Sequence, residues 1–476
     1  MKKMKETSQM LADARRYIEQ NRGKADLRYR PRFHAVPPVG WMNDPNGFFY
    51  DGEWYHLFYQ HYPYEARWND MHWGHWRTRD LVTWENLPVA MAPDTPWDAC
   101  GCFSGTALPD GRGGAHILYT GVSDHMELQQ QCYASFHGET MEKAVSNPVI
   151  PFTLLPEGYV RRDFRDPKLF RASDGYRAVM AAKHTEGGRL VCFSSADLEH
   201  WTYSGIFCPT DGLMPECPDV FLLGGKTAVL YSQVAGDRPV PENRHSVLYA
   251  LGSTDAACTR FEPGAWKQLD YGRSCYATQT CEGADGERIA VSWMASWTAR
   301  YPTASSAYGW SGMMSLPRVL HREGDRILQS PVPGLKSLRK EKVSFITELN
   351  NNRTSFPGVG ARHAEIHLSA DVSRAEEMVL NVMEDPDGSV VLHWKQGVLH
   401  MEGRSVLLDN TDAISMPLPA QQGRIEMTVY VDNCILEIFA GGETMSALAF
   451  PDGEVYDMSV CARGTAHVEI DCWKLA

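Results

Sequence analysis

No segment of the chain approaches the roughly 18 consecutive apolar residues that a membrane-spanning helix requires. No glycine-rich loop of the kind that cradles nucleotide phosphates is present. Positive charge is scarce, with 46 Lys and Arg against 59 Asp and Glu, a formal net charge of −13. The basic face that nucleic acid demands is therefore not available. Residues 1–24, MKKMKETSQMLADARRYIEQNRGK, carry basic residues but no apolar stretch of the export type, and Leu11, Ala14 and Ile18 suit a short amphipathic helix instead. The twelve cysteines are scattered without a paired framework, which favours reduced thiols and a cytoplasmic setting. Cys100 and Cys102 form a CxC, yet no CxxC or HxxxH partner accompanies them. His72 and His75, at i and i+3 in a Trp-rich run, read as structural histidines. The expected partner is a small molecule, with no nucleic acid, membrane, metal or cofactor, and oligomeric state is left unassigned.

What is present is a repeat. Five hairpin signals, at Asp51-Gly52, Asp110-Gly111, Asp174-Gly175, Gly224-Gly225 and Asp285-Gly286, are flanked by strand-rich runs and lie roughly 60 residues apart. That period suggests propeller blades. A carboxylate, Asp44, Asp166 or Glu216, stands seven or eight residues before the first, third and fourth tips. Phe103 and Ser104 hold the same position before the second. If the units are blades, radial repetition brings these residues around one axis, and three converging acids point to acid/base chemistry on a neutral, polar substrate.

Residues 1–28 read as a helical lead-in, 29–335 as a five-bladed β-propeller and 336–476 as a β-sandwich, so the fold class is all-β. A second echo, TRDLVTW (78–84) and SADLEHW (195–201), reads as a structural turn whose Trp plugs adjacent blades. Prolines and basic residues at 331–342 make a linker. Beyond it come alternating strands at 364–373, 378–384, 389–402, 424–441 and 466–476, without the long repeat. This second domain is expected to be a scaffold, since its exposed faces show no aromatic platform.

WMNDPNG (41–47), HLFYQ (56–60), MHWGH (71–75), FSG (103–105), FRDP (164–167), ECPD (216–219) and VDNCILEIFAGGE (431–443) resemble, in order, glycoside hydrolase family 32. That family includes invertases, sucrose-6-phosphate hydrolases and fructan exo-hydrolases. The resemblance runs from about residue 30 to the C-terminus and implies a five-bladed propeller followed by a β-sandwich, in agreement with the repeat. It further implies a retaining β-fructofuranosidase acting on sucrose or sucrose 6-phosphate. Asp44 would be the nucleophile, Glu216 the general acid and base, and Asp166, held by Arg165, the residue that binds sugar hydroxyls as oxocarbenium charge develops.

By the same resemblance Asn43, Gln60, Trp68, Phe103 and Ser104 line the fructosyl pocket, and Trp293 faces it. LDYGRSCYATQT (269–280) resembles a segment that orients the glucosyl unit, which makes Asp270, steered by Arg273, a leaving-group ligand. Ser274-Cys275 and Pro215 depart from the family's usual residues at that rim. A phosphate on the substrate would call for Arg67 or Arg300. The competing functions are an exo-hydrolase of short fructo-oligosaccharides, a fructosyltransferase, and a carbohydrate-binding propeller without catalysis, the last disfavoured by the presence of all three acids.

Overall fold

The computed structural model describes residues 2–475 except 211–212, 235–244, 296, 298–301, 361, 385–387, 405–413, 452 and 454–455. Its first domain consists of five antiparallel sheets, each the blade of a propeller. The innermost strands are Gly40–Tyr50, Gly101–Pro109, Tyr159–Ala172, Pro215–Leu223 and Tyr276–Glu282, in blades I to V. Each packs on its neighbours, and the fifth packs on the first, so the ring closes about one axis. All five sequence hairpins lie where expected, between the innermost and second strands. Closure is reinforced by the segment between the second and third strands of blade V, which pairs in parallel with the start of blade I at Gly40↔Trp310 and Trp41↔Ser311.

Every innermost strand breaks register at the same level. The breaks fall between Met42 and Pro45, Phe103 and Gly105, Arg165 and Lys168, Glu216 and Asp219, and Tyr276 and Gln279. A β-bulge inserts an extra residue, bends its strand and re-aims a side chain. Three bulges place non-glycine residues in the left-handed region, Asp166 at φ 63°, Cys217 at φ 47° and Ala277 at φ 53°. Five bulges at one level turn five short segments toward the axis, which is why the sequence count from the tips groups the chemically active residues.

The DLxxW echo is a turn between third and fourth strands. Thr78 and Ser195 hydroxyls accept the N–H of Leu81 and Leu198, at 3.0 and 2.9 Å, and those leucines lie at φ 61° and 71°. Trp201 then packs among core residues of blades II and III. His72 and His75 are buried, and His75 shares a 2.9 Å hydrogen bond with His56.

The N-terminal helix, Lys2–Asn21, buries Ala14 and Ile18 against Val39 and Val89 of blade I. The linker holds a short 3-10 helix, Pro333–Leu338, and the second domain opens with the strand Arg339–Asn350. Its ten strands form one sheet folded around an apolar core, with the long strands His363–Glu384 and Tyr456–Leu475 as its spine.

A buried ionic network joins the two domains. The Arg318 guanidinium of blade V donates to Asp270 at 2.8 Å and to Glu437 of the sandwich at 2.5 Å. His34 bridges Glu437 at 3.0 Å and Asp432 at 2.7 Å, and His363 closes on Asp432 at 2.7 Å. Burial works to lower the His34 pKa, but its bonds to Asp432 and Glu437 prevail and raise it to about 9. Buried charges are tolerated when each is paired and hydrogen-bonded, and this arrangement fixes how the domains meet.

Candidate active site

The bulges converge on a cavity of about 290 Å3 at one end of the propeller axis. Blade I supplies Asn43, Asp44, Gln60 and Trp68, blade II Phe103 and Ser104, blade III Arg165 and Asp166, and blade IV Glu216. All nine are among the residues expected from the sequence. The local sequence explains the approach at blade II, where Gly105 follows Ser104. A Cβ on Gly105 would lie 2.2 Å from the Leu118 carbonyl oxygen, so only glycine allows the bulged strand to sit so close to its neighbour.

Asp44 is buried, and its Oδ2 accepts the Ser104 hydroxyl at 2.7 Å and lies 3.4 Å from the Cys217 thiol. Its Oδ1 is buried with no hydrogen-bond partner. Burial and the charge of Glu216 raise the Asp44 pKa, against the bonds from Ser104 and Cys217. Asp166 accepts the Cys217 backbone N–H at 3.0 Å, and its own N–H is held by Thr120 at 2.9 Å. Burial, together with the charges of Glu216 and Asp44, lifts it to about 7 in spite of Arg165. The three carboxylates thus share a confined space in which full ionisation is costly.

Arg165 is placed differently from the expectation. It is expected to hold Asp166, but Glu216 Oε1 receives its closer contacts, from Nη2 at 2.9 Å and Nε at 3.2 Å, while Asp166 lies 3.8 Å away. The other oxygen of Glu216 accepts the Tyr276 hydroxyl at 2.5 Å. Beneath the site, Lys168 of blade III pairs with Asp219 of blade IV at 2.7 Å, tying together the two strands that carry Asp166 and Glu216.

Two expectations are corrected. Asp270 is 2% exposed and does not line the cavity. Its Oδ1 accepts the N–H groups of Gly272 and Ser446, at 2.7 and 3.0 Å, and its Oδ2 accepts the Ser446 hydroxyl at 2.6 Å and Arg318 at 2.8 Å. A carboxylate whose acceptor sites are all used at a domain junction has none left for a sugar. Trp293 is fully buried, its ring packed against Trp41, Tyr276 and Trp297. It backs the pocket wall, and Trp297, four residues on and 40% exposed, lines the cavity in its place. Arg67 is exposed and bonded twice to Glu65. Arg300 lies outside the described residues.

Met126, Gln129 and Trp297 also line the cavity, and Tyr276 and Cys217 touch its acids, although none of the five is among the site residues that the sequence predicts. Tyr276 had a usable signal, since it stands nine residues before the fifth tip, at the level of the acids. Met126 and Gln129 had none, because they lie beyond the second strand of blade II and outside the repeat position. Among the described residues no sandwich side chain lines this cavity, and no group of three or more His, Cys, Asp or Glu is arranged to hold a metal ion. Among the described residues no disulfide joins any of the twelve cysteines.

The glycosyl hydrolases family 32 N-terminal domain matches residues 34–331, and the family 32 C-terminal domain matches 334–474. A sucrose-6-phosphate hydrolase of Zymomonas mobilis is 32% identical, the match covering 89% of this chain and 87% of that protein. A levanase of Bacillus subtilis is 30% identical over 90% of this chain and 67% of its own length. Among solved structures, a family 32 β-fructofuranosidase of Bombyx mori superposes with a TM-score of 0.82 at 30% identity, covering 98% of this chain and 97% of that one.

Proposed function

From the premise that this chain belongs to glycoside hydrolase family 32, we propose that Asp44, Glu216 and Asp166 carry out the reaction of a retaining β-fructofuranosidase. Its substrates are terminal non-reducing β-D-fructofuranosides, foremost sucrose and sucrose 6-phosphate. The observation that carries the assignment is the convergence of three carboxylates, from innermost strands of three blades, on one cavity of about 290 Å3. That volume suits a terminal sugar and the first part of its leaving group.

In the first displacement the partnerless Oδ1 of Asp44 attacks the anomeric carbon, forming a covalent fructosyl-enzyme as the bond to the leaving oxygen breaks. Ser104 and Cys217 hold Oδ2 and so orient the attacking carboxylate. Glu216 donates its proton to the leaving oxygen, then removes one from the water that hydrolyses the intermediate, which restores Asp44 and releases fructose. Asp166 binds fructosyl hydroxyls through bonds that strengthen as positive charge develops on the ring. Trp68 and Phe103, 5.8 Å apart and edge to face, offer apolar surface to the sugar. Twelve cysteines with no disulfide among them support work in a reducing compartment, in keeping with a cytoplasmic role.

Following the anomer of newly released fructose by NMR tests the mechanism. Net retention, with loss of turnover in Asp44→Ala, supports it, and an inverted product contradicts it. In the same reactions, kcat/KM on sucrose, sucrose 6-phosphate, kestose and inulin ranks the substrates and separates a disaccharide hydrolase from an oligofructosidase.

A further inference from the structure

Next to the lining residues Arg165 and Met126 stand two arginines that neither the catalytic reading nor the sequence motifs use. Arg161 and Arg162 lie four and three residues before Arg165 on the innermost strand of blade III. Arg165 Nη1 is 3.5 Å from the Arg162 carbonyl oxygen, so this segment adjoins the wall that holds Glu216. Both side chains reach toward one loop of blade II. Arg161 pairs with Asp124 at 2.9 Å and Arg162 with Glu127 at 3.6 Å. Between those two acids is Met126, which lines the cavity.

That loop has an unusual backbone. Asp124, His125 and Met126 lie at φ 54°, 54° and 76°, three consecutive non-glycine residues in the left-handed region. Each such residue is disfavoured, and clusters of them persist where surrounding structure holds a required shape. Here the shape places Met126 at the cavity and turns Asp124 and Glu127 toward the two guanidinium groups.

We propose that Arg161 and Arg162 bind a phosphate carried by the leaving group, which makes this rim the determinant of preference for sucrose 6-phosphate over sucrose. The inference rests on reading the cavity as the fructosyl pocket. The leaving oxygen must lie beside Glu216, and the leaving group then departs past Arg165 and Met126 of the lining, toward the segment that carries Arg162. Both guanidinium groups are available: their side chains are 53% and 61% exposed. Among the described residues Arg161 makes one side-chain hydrogen bond and Arg162 none. A guanidinium fork matches phosphate oxygens bidentately, and a dianion attracts it more strongly than a single exposed carboxylate does. Asp124 and Glu127, themselves more than half exposed, can swing into water when phosphate takes their place. Arg67, by contrast, already directs two donors at Glu65.

The test measures kcat/KM on sucrose and on sucrose 6-phosphate, at low ionic strength, for the wild type, Arg161→Ala/Arg162→Ala and Asp124→Asn/Glu127→Gln. The wild type should prefer the phosphorylated substrate. In the double arginine variant the ratio of the two values should fall at least tenfold, and in the amide variant it should rise, because the arginines are released from their carboxylates. If the pairs merely brace the loop, both variants will change the two substrates in parallel, which overturns the proposal. A wild type without preference overturns it too. Absence of hydrolysis on both substrates would instead refute the underlying fructosidase reading.

Discussion

Tyr276 donates its hydroxyl hydrogen to Glu216 across 2.5 Å, from the bulge of blade V to the bulge of blade IV. With Arg165 on the opposite oxygen, the carboxyl group is held from both sides. This pairing gives the fifth blade a part in the site that the acids alone do not reveal. Tyr276→Phe keeps the buried ring and removes only the donor. It should lower kcat by about tenfold, in the range expected for a hydrogen bond to a charged group, with a smaller effect on KM. Steady-state kinetics on sucrose, with the pH profile, checks this. An unchanged kcat and profile would make the contact structural only.

Asp166 links the site to stability. Its pKa rises from the usual carboxylate range near 4 in the unfolded chain to about 7 in the fold, chiefly through burial. Between these values the folded state binds more protons than the unfolded one, so this group's contribution to stability falls as pH rises through that window. Asp166→Asn cannot ionise. It should be more stable than the wild type at pH 8, by on the order of 2 kcal/mol, and the difference should vanish near pH 4. Urea unfolding at several pH values measures it, and a difference that does not depend on pH would contradict the account.

Asp270 belongs to the junction network, so its removal should act on folding. Asp270→Ala deprives the buried Arg318 of a partner and leaves the Ser446 donors unmet. Breaking a buried ion pair from one side costs about 3–5 kcal/mol. Denaturant unfolding should show that loss while KM for sucrose in the folded enzyme stays within about twofold, a change worth less than about 0.5 kcal/mol. A raised KM with unchanged stability would return Asp270 to the substrate.

The propeller and its axis were legible because one supersecondary unit recurs. The tips at Asp51, Asp110, Asp174, Gly224 and Asp285 mark the same turn five times, and counting back from them reaches Asp44, Ser104, Asp166 and Glu216. Sequence spacing encodes position along a strand but not which neighbour a side chain meets. Spacing therefore puts Arg165 beside Asp166, although its side chain reaches Glu216. Asp270 reads as a ligand because an Asp before a Tyr-Gly turn carries no sign of burial, and the residues that bury it, Arg318 and Ser446, are 48 and 176 positions away. Trp293 and Trp297 are chemically alike, and only packing against Trp41 and Tyr276 decides which of them is core.

The division of labour between Asp44 and Glu216 is tested most directly by Glu216→Ala on two fructosides, sucrose and an aryl fructoside whose leaving group needs no protonation. If Glu216 protonates the leaving oxygen, the variant should lose most of its kcat/KM on sucrose and far less on the aryl substrate, which still depends on Asp44. With the aryl substrate, formation of the fructosyl-enzyme should outrun its hydrolysis, giving a burst of aryl alcohol as the intermediate accumulates. Equal losses on both substrates, with no burst, would remove Glu216 from the acid role and contradict the account.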